Sequence, residues 1–84
     1  MSAPSKFSFT VSDVARFLGK SPVTLRGWER HGLISFPRNG RGDRRFLLED
    51  LRQLAAHPLI RERVSPHRLR VLEATVTLLE IVEQ

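Results

Sequence analysis

Cysteine is missing from this chain, which excludes disulfide staples and thiolate metal sites and suits a reducing compartment. No apolar run approaches the ~18 residues that a membrane span requires. The first ten residues lack the basic-then-apolar run and cleavage motif of a secretory signal, so a cytoplasmic location is expected. Catalytic patterns are absent too. His31, His57 and His67 are scattered, none pairs with a carboxylate at metal-ligand spacing, and there is no HExxH. Asp13, Glu29, Asp43, Glu49 and Asp50 form no paired arrangement for acid–base work, and the serines have no visible base partner. No catalytic residue, metal or cofactor is therefore expected, and no enzyme. At 84 residues the chain is one small domain with a thin core.

What the chain does have is positive charge, unevenly placed. Lysine and arginine number 14 against 9 aspartates and glutamates, for a net charge of +5. Residues 16–45 hold eight basic residues and only two acidic ones, Glu29 and Asp43, whereas residues 58–84 hold four of each. A focused positive patch suits a phosphate backbone better than general solubility does.

The local signals divide the chain. Residues 1–8 read as a loose tail. Thr10 and Asp13 suit a capping box at the start of a first helix, with Phe9 and Val14 placed for a hydrophobic staple. Val11, Val14, Ala15 and Leu18 form its apolar stripe, and Gly19 ends it. Ser21 and Pro22 open a second helix at once, a cap followed by a residue whose missing N–H costs nothing there. Leu25 and Trp28 face inward, Arg26 and Arg30 share another face, and Gly32 stops the helix. Two helices joined by so short a turn make a helix-turn-helix. Leu33 is expected to return to the core with Ile34. Residues 34–36 and 44–47 read as two short strands around the turn pair Asn39-Gly40, with Gly42 as a second hinge. The loop of that hairpin carries Arg38, Arg41, Arg44 and Arg45, forked donors for phosphates or minor-groove edges.

A third helix is expected over 48–56, with Leu48, Leu51, Leu54 and Ala55 inward and Glu49 and Asp50 in its first turn. Pro58 breaks the chain, and Leu59 and Ile60 suit one packed turn. Ser65-Pro66 repeats the cap-plus-proline start, and the helix after it extends to residue 83. Leu69, Leu72, Val76 and Leu79 keep a three-four spacing, while Val71, Leu78, Ile81 and Val82 lie off that line. The helix is thus apolar on more than one side. One side suits the domain core and another suits a second copy, with Leu69, Leu72, Val76, Leu79 and Val82 as the self-association set. The core set is Val14, Leu18, Leu25, Trp28, Leu33, Phe46, Leu51 and Leu54.

These pieces resemble a known family. FTVSDVA (residues 9–15), GKSPVTLRGWERHGLI (19–34), GDRRF (42–46) and EDL (49–51) fall in the order and spacing of the winged-helix DNA-binding domain of the MerR family. That family writes them as (I/V)-x-E-(L/V)-A, TLRYYExxGLI, G(H/Y)RxY and EDL. Its small relatives include phage excisionases, also called recombination directionality factors, and compact developmental regulators. The resemblance covers about residues 9–57. It implies a mainly α, winged helix-turn-helix fold with a small β-hairpin wing over that span, with an additional C-terminal helix in 58–84.

By the same resemblance, helix 21–31 enters the major groove of double-stranded DNA and the arginine-rich wing, residues 37–45, meets backbone or minor groove. Thr24 and Arg26 match family positions near DNA, and Arg44 matches the wing arginine. Trp28 matches the second aromatic of the family's pair. Ser21, Pro22, Val23, Gly27 and Arg30 complete the helix's expected DNA set. The chain departs from the pattern at Gly27, where a DNA-facing tyrosine is usual, and at Val23, where arginine is usual. The long dimerisation coil and ligand-sensing domain of full-length regulators have no counterpart in these residues, so no small-molecule or metal sensor is expected. The leading expectation is a sequence-specific DNA-binding protein, a small transcriptional regulator. It binds as a homodimer or as a cooperative multimer. The alternative in the same class is an excisionase-type architectural factor, with an integrase as partner. A different class is a protein–protein interaction module that uses the apolar C-terminal helix. No membrane partner is expected.

Overall fold

The computed structural model describes residues 7–37 and 45–83. The tail at 1–6 and the turn of the expected wing at 38–44, with Arg38, Arg41 and Arg44, lie outside the described residues. Five helices follow one another: α1 (Val11–Leu18), α2 (Pro22–Arg30), α3 (Leu48–Ala56), α4 (Pro58–Arg63) and α5 (Pro66–Glu83).

Each helix begins and ends for a local reason. At α1 the Asp13 N–H donates to Thr10 Oγ1 at 3.1 Å and the Thr10 N–H donates to Asp13 Oδ2 at 3.0 Å, a reciprocal capping box. That backbone bond holds the Asp13 carboxyl below the usual aspartate value, and the Thr10 hydroxyl and the charges of Arg16 and Arg45 lower it further. At α2, Ser21 Oγ accepts from the Thr24 N–H at 3.2 Å. At α3 the Leu47 N–H donates to Asp50 Oδ2 at 2.8 Å. His57 caps α4 by accepting from the Leu59 N–H at 3.1 Å. Ser65 does the same for Arg68 at the start of α5, at 3.3 Å.

The core is one apolar cluster. Val14, Leu18, Leu25, Phe46, Leu51 and Leu54 are buried, joined by Ile34, Phe36, Ile60 and Val64. Trp28 is partly buried against that cluster. α5 packs on both α3 and α1, and it buries Leu69, Leu72 and Val76 there. Arg52 of α3 donates to both carboxylate oxygens of Glu80 on α5, Nε to Oε2 at 3.2 Å and Nη2 to Oε1 at 2.5 Å. That fork raises the arginine's pKa and lowers the glutamate's. Among the described residues no helix is long and apolar enough to cross a membrane.

Two expectations are corrected, and a third lies partly outside the described residues. Leu33 is 47% exposed instead of buried. Its N–H bonds back to the Trp28 carbonyl at 2.9 Å while Gly32 takes φ +74°, and the chain reverses so that Ile34, not Leu33, enters the core. The strand pairing of 34–36 with 44–47 is not shown, because the turn between them lies outside the described residues. Phe46 exchanges both of its backbone bonds with Phe9, each 2.8 Å, the Leu47 N–H goes to Asp50, and the Leu47 carbonyl accepts from Leu51. Phe36 and Phe46 meet through their rings, edge-on with centroids 5.2 Å apart. The self-association set also divides. Leu69, Leu72 and Val76 belong to the domain's own core, Leu79 is partly buried, and Val82 is exposed. The apolar surface that α5 leaves outside is Val71, Leu78, Ile81 and Val82, 49–61% exposed.

This division predicts a contrast along one helix. Leu72→Ala should cost about 2–5 kcal/mol, the range for emptying a buried leucine site. Leu78→Ala should change stability by less than about 0.5 kcal/mol. Urea unfolding of the two variants measures both, and comparable losses would contradict the packing of α5.

Candidate nucleic-acid interface

The turn between α1 and α2 fixes how α2 is presented. Gly19 sits at φ +70°, its N–H bonds to the Arg16 carbonyl at 3.2 Å, and the Lys20 N–H bonds to the Ala15 carbonyl at 2.9 Å. The same closure ends α2, where Gly32 bonds to Glu29 and Leu33 to Trp28, each at 2.9 Å. Both are Schellman closures, which need a left-handed residue that glycine supplies most easily. The Arg68 side chain of α5 lies over the first turn, with Nε against the place where a β-carbon on Gly19 would stand.

α2 then has two different sides. Leu25 is buried and Trp28 is packed against the core. Positions 23, 26, 27 and 30 follow the three-four spacing of one helix face. On that face Val23 is 73% exposed, and Arg26 and Arg30 are exposed. Beyond its chain neighbours and its own helix backbone, Gly27 has no described atom within 4 Å of a β-carbon built on it. The first turn of α2 carries no acidic residue, so the positive end of the helix dipole is not countered there. Thr24 is the exception among the expected contacts. Its N–H and its hydroxyl both engage Ser21 Oγ, the hydroxyls 3.0 Å apart, so it builds the helix start. At the far end His31 Nδ1 donates to the Gly27 carbonyl at 2.8 Å and closes the last turn.

The described residues thus bring Ser21, Pro22, Val23, Thr24, Arg26, Gly27 and Arg30 onto one helix. Of the expected wing arginines only Arg45 lies within them, exposed and near enough to α1 to act on Asp13. Arg16 shares that effect and stands exposed on α1. It belongs to the basic run but has no motif around it, so only the charge count pointed to it. The contact of Arg68 with Gly19 carried no signal, because the two residues are far apart in the chain. Among the described residues no group of three or more His, Cys, Asp or Glu side chains is placed to hold a metal ion.

Residues 9–57 match the family model described as MerR HTH family regulatory protein. Neither the curated proteins nor the solved structures gave a match.

The turn itself can be tested. Gly19→Ala should cost about 1–2 kcal/mol through the left-handed backbone alone, and Gly32→Ala a similar amount. The contact with Arg68 involves the far end of a flexible side chain that can swing aside. A second substitution, Arg68→Ala, should therefore rescue little of the Gly19→Ala loss in urea unfolding. Full rescue would show that sterics, not φ, set the need for glycine.

Proposed function

The chain belongs to the MerR HTH family of regulatory proteins, and from that premise we propose that it is a sequence-specific double-stranded DNA-binding protein, a small transcriptional regulator. The observation that carries this reading is the outer face of α2, where Arg26 and Arg30 stand exposed beside Val23 and Gly27 with no acid in the first turn. A helix of this width fits the major groove of B-form DNA. In this reading Arg26 and Arg30 meet base edges and nearby phosphates. The arginines of the 37–45 segment hold the backbone or the minor groove. The protein works without catalysis, in the cytoplasm. An excision factor would use the same surface, and an integrase gene beside its own would favour that role.

The exposed apolar side of α5 supports a second element of the proposal. Val71, Leu78, Ile81 and Val82 cluster on the outside of one helix, and water disfavours such grouped apolar surface. The reading assigns them to contacts between copies, either a two-fold dimer or neighbours along DNA. A protein-interaction module would use the same residues but would keep its partner after the arginines were neutralised.

Two measurements follow. Binding should weaken steeply with salt, because each phosphate contact contributes a slope of about −0.9 in log affinity against log salt. Arg44→Ala should weaken cognate and scrambled duplexes alike and reduce that slope by about one contact, whereas Arg26→Ala or Arg30→Ala should also erode discrimination between the two. A flat salt response, or equal loss of discrimination from both sets, would count against the assignment. Sedimentation with and without a duplex long enough for several copies tests assembly. More than one copy per duplex is expected, and a strict monomer that loads singly would return α5 to core duty alone.

A further inference from the structure

Resting on the DNA reading above, we propose that Val23 reads the C5-methyl group of a thymine in the major groove, and that Gly27 is what lets the α2 backbone come close enough for that contact. Val23 is 73% exposed, more than any other large apolar side chain among the described residues. One exposed valine means little alone. Its position is informative because Gly27 follows one turn later on the same face.

Gly27 is unexplained by the fold. Glycine is a poor helix former, second only to proline. The usual reasons for keeping one are a left-handed backbone or a crowded neighbour. Gly27 has neither: the positive-φ glycines among the described residues are Gly19 and Gly32, and beyond its chain neighbours and its own helix backbone no described atom lies within 4 Å of a β-carbon at Gly27. What remains is close approach by something other than the described residues. On this face that surface is smooth at Gly27, apolar at Val23 and cationic at Arg26 and Arg30.

The chemistry of valine narrows the target. It has no donor or acceptor, so it cannot read guanine, adenine or cytosine through hydrogen bonds. The thymine methyl is the apolar group that unmodified base pairs show in the major groove. Arg26 and Arg30 flank it with forked donors that suit guanine or phosphate. The expected target thus has a thymine under the first turn of α2, beside the bases or phosphates that the arginines hold.

The experiment begins with a duplex that the full chain selects from a randomised library. Each thymine in it is then replaced by uracil, which keeps the hydrogen-bonding edge and removes the methyl. One replacement should weaken the unaltered protein about fourfold, the factor for one lost apolar carbon contact. The same replacement should leave Val23→Ala unaffected. Gly27→Ala should raise the melting temperature of the free protein yet weaken binding to the selected duplex severalfold. Both substitutions face solvent, and melting curves confirm that the variants fold. If no thymine is methyl-sensitive, or if Val23→Ala is as sensitive as the unaltered protein, the assignment of Val23 is wrong while DNA recognition stands. Unchanged binding by Gly27→Ala would overturn the close-approach role. If no duplex is selected, the DNA reading fails and this inference falls with it.

Discussion

Leu69, Leu72 and Val76 project from one side of α5 into the domain core, and the rest of the chain depends on that burial. α1, α2 and α3 are eight or nine residues long. Isolated helices shorter than about 12–15 residues are marginal in water, so these three require tertiary contact to exist. α5, at 18 residues, is the long element that α1 and α3 pack against. The Arg52–Glu80 fork adds register to this packing more than strength, since both groups are solvent-exposed. The exposed face of α2 is therefore set in place by a helix that lies beyond the matched family segment.

Phe46 does a related job for the arginine-rich segment. Its backbone is bound to Phe9, just ahead of α1, and its ring packs against Phe36. Both phenylalanines are buried. The residues on either side of 38–44 are thereby held to the same core as α1. Arg45, directly before Phe46, is brought beside the N-terminus of α1, where its charge acts on Asp13. The residues that flank the arginine-rich segment thus have fixed anchors, and the anchors are aromatic.

Much of this was legible because the signals are local. Ser21-Pro22, Ser65-Pro66, the Thr10–Asp13 box and the two closing glycines each act within one turn of chain, and each helix stands where its own caps put it. The errors fell where the deciding contact is distant. Leu33 and Ile34 are adjacent and equally apolar, and only the bond from Leu33 to Trp28 together with the reversal at Gly32 decides which one is buried. The bonding of Phe46 to Phe9, ahead of α1, is likewise a distant pairing that alternating hydrophobicity does not reveal. On α5 two apolar lines were visible, but only the positions of α1 and α3 say which line is core. For the site, the helix and its arginines could be read from spacing. The tie of Thr24 to the helix cap, and the open space around Gly27, depend on the folded geometry and leave no mark in spacing.

The two sides of α2 answer to different requirements, and the departures from the family pattern respect that boundary. Leu25 and Trp28 face the core, and there the chain keeps the residue types that its resemblance to the family leads one to expect. Val23 and Gly27, where the family usually carries arginine and tyrosine, both lie on the outer face. A change on the inner face would cost stability through a cavity or overpacking. A change on the outer face costs the fold little, as the open surroundings of Gly27 show, and acts on whatever the helix meets. Membership in the family thus carries over the way α2 is built and held. It does not fix what the outer face of α2 meets, because that face holds the positions, 23 and 27, at which this chain differs.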